Sequence, residues 1–178
     1  MGWDEELFAY LDDLEGQAAA MYAAERGPEL ADRSRAEYAS VTMAARLMAG
    51  VDRELTLDVA GVGGLSGRLA RVATGWCLLS GAGQDWVVPL AAVVAVQGGS
   101  DRAVPEVAWP TVSRLGLGAA LRGLAESAQP CIVHRMDGVR HEGVLLRVGA
   151  DFVELTSGES GRVLLVAFAH LAAIRSRQ

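Results

Sequence analysis

The chain has 178 residues, of which 51% are hydrophobic and 21% charged, so it can bury a core and is not a disordered, self-repelling chain. Its 22 acidic residues outnumber 16 basic residues, all of them arginine, to give a formal charge of −6. This balance excludes a generic polybasic protein that binds nucleic acid or anionic membranes.

The sequence also indicates where the protein resides. The N-terminus is acidic and lacks the basic region and apolar core of a signal peptide. The longest apolar runs have eleven and twelve residues, whereas a membrane-spanning helix needs roughly 20. We therefore expect a cytoplasmic protein that does not associate with a membrane.

Residues 1–40 are predicted to form an acidic helical segment. Its apolar stripe, with helical spacings of three and four, consists of Leu7, Leu11, Leu14, Ala18 and Met21. Residues 1–50 hold ten acids and four arginines, which accounts for the whole net charge. Gly27-Pro28 predicts a break or kink before a second helix that runs through Tyr38. The stripe could dock on the rest of the chain, pair with a partner helix, or dimerise.

After residue 40 the sequence repeats itself with a shift of 76 residues. The shift places Leu55, Leu57, Gly67, Leu69, Arg71, Val72, Trp76 and Leu79 on Cys131, Val133, Gly143, Leu145, Arg147, Val148, Phe152 and Leu155. Beyond a two-residue length difference, Val88, Val93 and Val96 fall on Val166, Leu171 and Ile174. The repeat predicts a first unit at 41–98, a linker at 99–111 and a second unit at 112–178.

Each copy is predicted to be a short helix followed by five short strands. The helices span 42–49 and 112–127. In the first copy the predicted strands are Glu54–Val59, Leu65–Val72, Trp76–Ser80, Trp86–Pro89 and Val93–Val96. In the second copy they are Cys131–Met136, Val139–Val148, Phe152–Thr156, Arg162–Ala167 and Leu171–Arg175.

This pattern resembles the Sm-like family of small five-stranded barrels with an N-terminal helix. The resemblance is carried by the Asp137-Gly138 turn and by the Gly-x-Leu segments Gly143-Val144-Leu145 and Gly67-Arg68-Leu69. It implies an α+β protein in which two Sm-like or SH3-like small barrels follow the acidic helices. Where RNA-binding members carry a polar base-reading residue, this chain has Trp76 and Phe152, which argues against ring-type uridine binding.

The whole-chain arrangement also resembles a group of actinobacterial proteins that share the segment Val88–Val93. Some members of that group are labelled transcription regulators. No helix-turn-helix pattern with an exposed basic or amide face is visible in this sequence to support that label.

The polar residues of the second unit's first hairpin are the strongest candidates for binding chemistry. A two-residue Asp137-Gly138 turn would place His134 opposite His141 and Arg135 opposite Arg140. We interpret the histidines as a surface pair, because a metal site normally brings three or four ligands and no third is evident. The candidate anion or nucleic-acid patch consists of Arg135, Arg140, Arg147 and Arg175.

The sequence shows no pattern typical of metal-binding or redox cysteines or of catalytic residues. Cys77 and Cys131 lie singly in apolar stretches, so buried thiols are favoured over a metal or redox pair. No nucleophile, base and metal-ligand set converges, so we expect neither an enzyme nor a bound cofactor or metal.

The functional interpretation depends on the edge strands of the two predicted units. Unpaired edges promote association, so we expect the two copies to pair edge to edge, with the outer edges covered by N-terminal helices or used for self-assembly. The candidate partner-binding residues are Leu7, Leu11, Leu14, Trp86 and Trp109. The leading hypothesis is a non-enzymatic interaction or scaffold module, either a homo-oligomer or a pseudo-dimeric monomer, that binds a protein partner or itself. The alternative is a divergent Sm-like nucleic-acid-binding regulator, which the net charge disfavours.

Overall fold

The computed structural model describes residues 3–81, 83–158 and 161–176. The chain separates into two compact units, Met1–Val41 and Thr42–Gln178. The first contains one helix, α1 (Trp3–Ala39), of 37 residues. The helix continues through Gly27 and Pro28, so the predicted break is wrong. Proline removes one backbone donor from the helix, and the remaining hydrogen bonds of this long helix are enough to carry it past that position.

The second unit begins with a short helix and five strands, which we call the first half. These elements are α2 (Met43–Met48), β1 (Glu54–Val59), β2 (Gly63–Ala73), β3 (Trp76–Gly81), β4 (Gln84–Pro89) and β5 (Val93–Gln97). The Thr42 hydroxyl accepts a hydrogen bond from the Ala45 N–H at 3.1 Å, which caps α2 at the predicted start.

The second half has the same order of elements. They are α3 (Leu117–Ser127), β6 (Pro130–Arg135), β7 (Arg140–Val148), β8 (Phe152–Ser157), β9 (Arg162–Ala167) and β10 (Leu171–Ser176). A short 3₁₀ turn, Thr111–Arg114, precedes α3, so the helix predicted over 112–127 is interrupted. The strands of both halves begin and end within two residues of their predicted limits.

All ten strands belong to one antiparallel sheet, in the order β5-β1-β2-β3-β4-β10-β6-β7-β8-β9. The predicted fold class, with two separate small barrels, is therefore wrong. The sheet is continuous because β4 of the first half pairs with β10 of the second, with Val87 opposite Ile174. This pairing confirms the predicted edge-to-edge contact of the two copies. It pairs backbone N–H and C=O groups that would remain unpaired at the strand edges of two separate units.

The sequence repeat is visible in the strand pairing. The register between β2 and β3 shifts between Leu69 and Arg71, and that between β7 and β8 shifts between Leu145 and Arg147, which is 76 residues later. Close backbone contacts explain the shared glycines. A Cβ on Gly67 would lie 2.6 Å from the Ser80 carbonyl oxygen, and one on Gly143 would collide with the Thr156 carbonyl oxygen. We call residues at equivalent positions of the two halves counterparts. Their numbers differ by 76 as far as β3 and by 78 for β4 and β5.

Two apolar cores support the sheet, and each contains side chains from both halves. The core of the first half, which includes Leu57 and Leu79, also contains Ala172 and Ala173 of β10. The core of the second half, which includes Leu121 and Leu155, also contains Trp76 and Val87 of the first half. The two halves therefore share their cores, which is a second reason why separate barrels do not describe them.

Candidate interaction edges

The β4–β10 junction, which we call the inner seam, is held by backbone pairing and by buried apolar side chains. Val87 on β4 is 8% exposed, and Ala172 on β10 is fully buried. The Asp85 N–H donates to the Ser176 hydroxyl at 2.9 Å, which adds a side-chain bond between the two strands. Val87 and Ala172 at the inner seam are therefore buried like residues of a domain core.

Trp76 on β3 makes a second contact between the two halves, beside the inner seam. It is 7% exposed and lies in the same core cluster as Leu121 of α3 and Ile174 of β10. Its indole N–H donates to the Leu115 carbonyl oxygen at 2.8 Å. Beside it, the Thr74 N–H donates to the Ser113 carbonyl oxygen at 2.9 Å. The end of the β2–β3 hairpin is thus fixed to the segment before α3.

The outer edges of the sheet, β5 and β9, present apolar side chains without such cover. Each of these strands pairs with one neighbour in the described part of the chain. Val94 on β5 is 69% exposed, and on β9 Val163 is 55% and Leu165 57% exposed. Long, apolar, unpaired edge strands are association sites.

The exposed residues of the outer edges are counterparts of the residues buried at the inner seam. Leu165 on β9 corresponds to Val87 on β4, and Val94 on β5 corresponds to Ala172 on β10. The counterparts are all apolar, yet one pair is buried and the other is exposed. The difference follows from the neighbouring strand, which is present at the inner seam and missing beyond the outer edges of the described sheet.

A polar cluster crosses one face of the inner seam. The guanidinium of Arg175 lies over the Trp86 ring, 5.4 Å from its centroid, and the His134 ring centroid lies 5.3 Å from that of Trp86. Burial, together with the charges of Arg175 and Arg140, lowers the pKa of His134 below its usual 6.5. Trp86, predicted to be a partner-binding anchor, therefore contacts the second half of the same chain.

The β6–β7 hairpin does not have the predicted register. His134 lies opposite Arg140, and Val133 lies opposite His141. The Arg135 N–H donates to the Val139 carbonyl oxygen at 2.9 Å, which leaves three residues in the turn, and Gly138 has a φ of +85°. This is the geometry of a three-residue hairpin with a left-handed glycine, one residue longer than the assumed turn. The two histidines consequently lie on opposite faces of the sheet.

The other arginines of the candidate anion patch are distributed over the second half. Arg135 forms an ion pair with Asp137 in the turn, and Arg147 forms an ion pair with Glu154 at 2.8 Å. Arg140 is exposed next to His134. Arg140 and Arg175 thus lie close enough to His134 to affect its pKa, whereas Arg135 and Arg147 are each paired with an acid.

The remaining candidate partner-binding residues have different environments. Trp109 is 5% exposed, belongs to the core of the first half, and donates its indole N–H to the Val104 carbonyl oxygen at 2.8 Å. The exposure that the prediction assumed for Trp109 is therefore wrong, because its side chain packs into the core of the first half. Leu11 and Leu14 are exposed on α1. The side chain of Leu7 lies outside the described residues.

No protein-family model and no curated protein matches the sequence. Within the described ranges, no group of three His, Cys, Asp or Glu side chains is arranged to hold a metal ion. None of the described helices is both long and apolar enough to cross a bilayer.

Leu165 and Phe152 were not identified from the sequence as candidate contact residues. The internal sequence repeat could have identified both residues. Once Val87 and Trp76 are known to lie at the junction of the halves, the shifts of 78 and 76 identify Leu165 and Phe152.

Proposed function

We propose that the protein is a scaffold that associates with copies of itself, head to tail, through its two outer edges. In this arrangement β9 of one copy pairs with β5 of the next, just as β4 pairs with β10 inside each chain. The observation that supports the proposal is the correspondence between the residues buried at the inner seam and the apolar residues exposed on β5 and β9.

The inner seam also supplies an expected register for this contact. Ile174 lies opposite Val87, and Arg175 lies opposite Trp86. Their counterparts place Val96 opposite Leu165 and Gln97 opposite Leu164 of the next copy. Because the two edges differ, the contact is heterologous, and repetition yields either a closed ring or an open filament.

Sedimentation velocity of single and mixed variants tests this proposal. The wild-type chain should form oligomers at micromolar concentration, whereas Val94→Lys and Leu165→Lys, each blocking one edge with a charge, should be monomeric. Val107→Lys is the matched control, since Val107 is 84% exposed but lies on neither edge, and it should associate like the wild type.

Mixing the two blocked variants gives the decisive result. The Val94→Lys chain retains an intact β9, and the Leu165→Lys chain retains an intact β5, so an equal mixture should form a dimer and nothing larger. A symmetric contact, in which one edge meets the same edge of the partner, would not be restored by mixing. A monomeric wild type at about 100 μM, or a mixture that stays monomeric, would contradict the proposal.

A further inference from the structure

A cavity of about 500 Å³ lies between α2 and β5, next to an outer edge of the sheet. Its apolar lining comes from Met43 and Leu47 of α2 and from Val94 and Val96 of β5. At its rim the Arg46 guanidinium donates to the Ser100 carbonyl oxygen at 2.9 and 2.6 Å. The cavity is thus an apolar groove with one polar wall whose hydrogen bonds are already formed.

In the second half, Trp76 shares a core cluster with residues of α3 and β10, the elements that correspond to the walls of this groove. Leu121 on α3 takes the place of Leu47 on α2, since both are buried leucines on the helix that precedes the five strands. Trp76 packs into the core cluster that contains Leu121, Leu171 and Ile174. None of the described residues that line the groove of the first half is aromatic.

The second half carries an aromatic residue at the position that would fill such a groove. Phe152 is the counterpart of Trp76, at the first position of β8 as Trp76 is at the first position of β3. It is half-buried, whereas Trp76 is buried, and its ring packs against Gly149, the counterpart of Ala73. Phenylalanine has no N–H donor, so it needs no counterpart of the Leu115 carbonyl that accepts from Trp76.

We propose that Phe152 of one copy inserts into the groove between α2 and β5 of the next copy, as Trp76 packs into the core cluster of α3 and β10 residues within the chain. This inference rests on the proposed head-to-tail association and names the side chain that anchors it. The occupant of the cavity is therefore a second copy of this chain. An aromatic ring that fills an apolar pocket is a typical energetic centre of a protein interface.

The test places a photoreactive benzophenone analogue of phenylalanine at position 152 of the full chain. Irradiation should join it to a second chain within the tryptic peptides 36–46 and 47–53, which together contain Met43–Met48, or within the tryptic peptide 72–102, which contains Val94–Val96. A parallel sample of mixed chains, Val96→Cys and Leu165→Cys, reports edge pairing through a disulfide. The native thiols should not interfere, because burial raises the pKa of Cys77 to about 12 and that of Cys131 to about 11.

The two readouts separate the inference from the proposed function. If the 96–165 disulfide forms but position 152 cross-links to other peptides or not at all, the groove assignment is overturned and head-to-tail pairing stands. If neither product forms, both are overturned. Phe152→Ala should also raise the dissociation constant about tenfold or more, whereas Val107→Ala should leave it unchanged. An unchanged dissociation constant for Phe152→Ala would contradict the inference.

Discussion

The inner seam and the outer edges of this protein are built from corresponding residues, but a neighbouring strand covers the seam and none of the described strands covers the edges. Val87 is 8% exposed and its counterpart Leu165 is 57% exposed; Ala172 is fully buried and its counterpart Val94 is 69% exposed. The comparison shows that burial at these positions depends on the adjacent strand rather than on the local sequence. It also indicates which surfaces a second copy would have to cover.

The polar residues of the two regions differ as well. Arg175, Trp86 and His134 form a contact cluster across the inner seam. Their counterparts are Gln97, Leu164 and Asp58, so the cluster is not repeated at the outer edges. The inner seam therefore combines apolar burial with specific polar contacts, whereas association of the outer edges would depend mainly on apolar contacts.

The largest expected effect comes from placing a charge on the inner seam. Val87→Lys would bury an ammonium group in an apolar core, and we expect it to lower the free energy of unfolding by on the order of 3 kcal/mol or more. Leu165→Lys, at the exposed counterpart, should change it by less than about 0.5 kcal/mol. Urea denaturation of the two variants, at concentrations low enough to keep copies apart, measures both. Equal losses would show that the two positions have the same environment in solution.

A smaller effect is expected from the contact between Arg175 and Trp86. A double-mutant cycle with Arg175→Gln and Trp86→Leu, which installs the counterpart residue at position 86, should give a coupling free energy of about 0.5–1 kcal/mol. The control cycle pairs Trp86→Leu with Arg147→Gln. It should be additive, since Arg147 forms its ion pair with Glu154. Additivity in the first cycle would mean that the cation–π contact contributes nothing to the seam.

The smallest effect concerns the pH dependence of the inner seam. The pKa of His134 is lowered by burial and by the neighbouring arginines Arg175 and Arg140, so the unfolded chain takes up a proton at this histidine first as the pH falls. Stability should therefore decrease as the pH drops below about 6.5 and level off below the folded-state pKa. Thermal melting at pH 7.5 and 5.5 should show a smaller pH-dependent loss for His134→Gln than for the wild type. His170→Gln, at an exposed histidine, serves as the control; equal losses in both variants would refute the assignment.

Local features of the fold could be predicted from the sequence because they depend on nearby residues. Strand β1 and strand β9 have the predicted limits, since an alternating apolar pattern in β1 and a continuous apolar run in β9 each end at a turn. Residues 60–62 form the turn between β1 and β2, with Gly61 at a φ of +71°. The shift of 76 correctly relates the irregular pairings after Leu69 and Leu145.

The predictions from sequence were wrong where the local residues are compatible with more than one structure. The Asp137-Gly138 pair suits a two-residue or a three-residue turn, and one added residue changes which side chains share a face. Pro28 lies inside a helix that continues past it. Trp109 follows glycines and prolines typical of a linker, and its burial depends on packing into the core of the first half, which no local pattern reveals.

The sequence by itself determined the strand and helix positions, the internal repeat and the glycines needed for close backbone contacts, because hydrophobic periodicity and backbone sterics act over a few residues. Only the tertiary structure decided that β4 pairs with β10, that Trp76 belongs to the core of the second half, and that β5 and β9 are left as outer edges. Val87 and Leu165 are both apolar strand residues. The strand that covers one of them comes from 87 residues further along the chain, at Ile174, so its effect on burial can be seen only after folding has brought the two halves together.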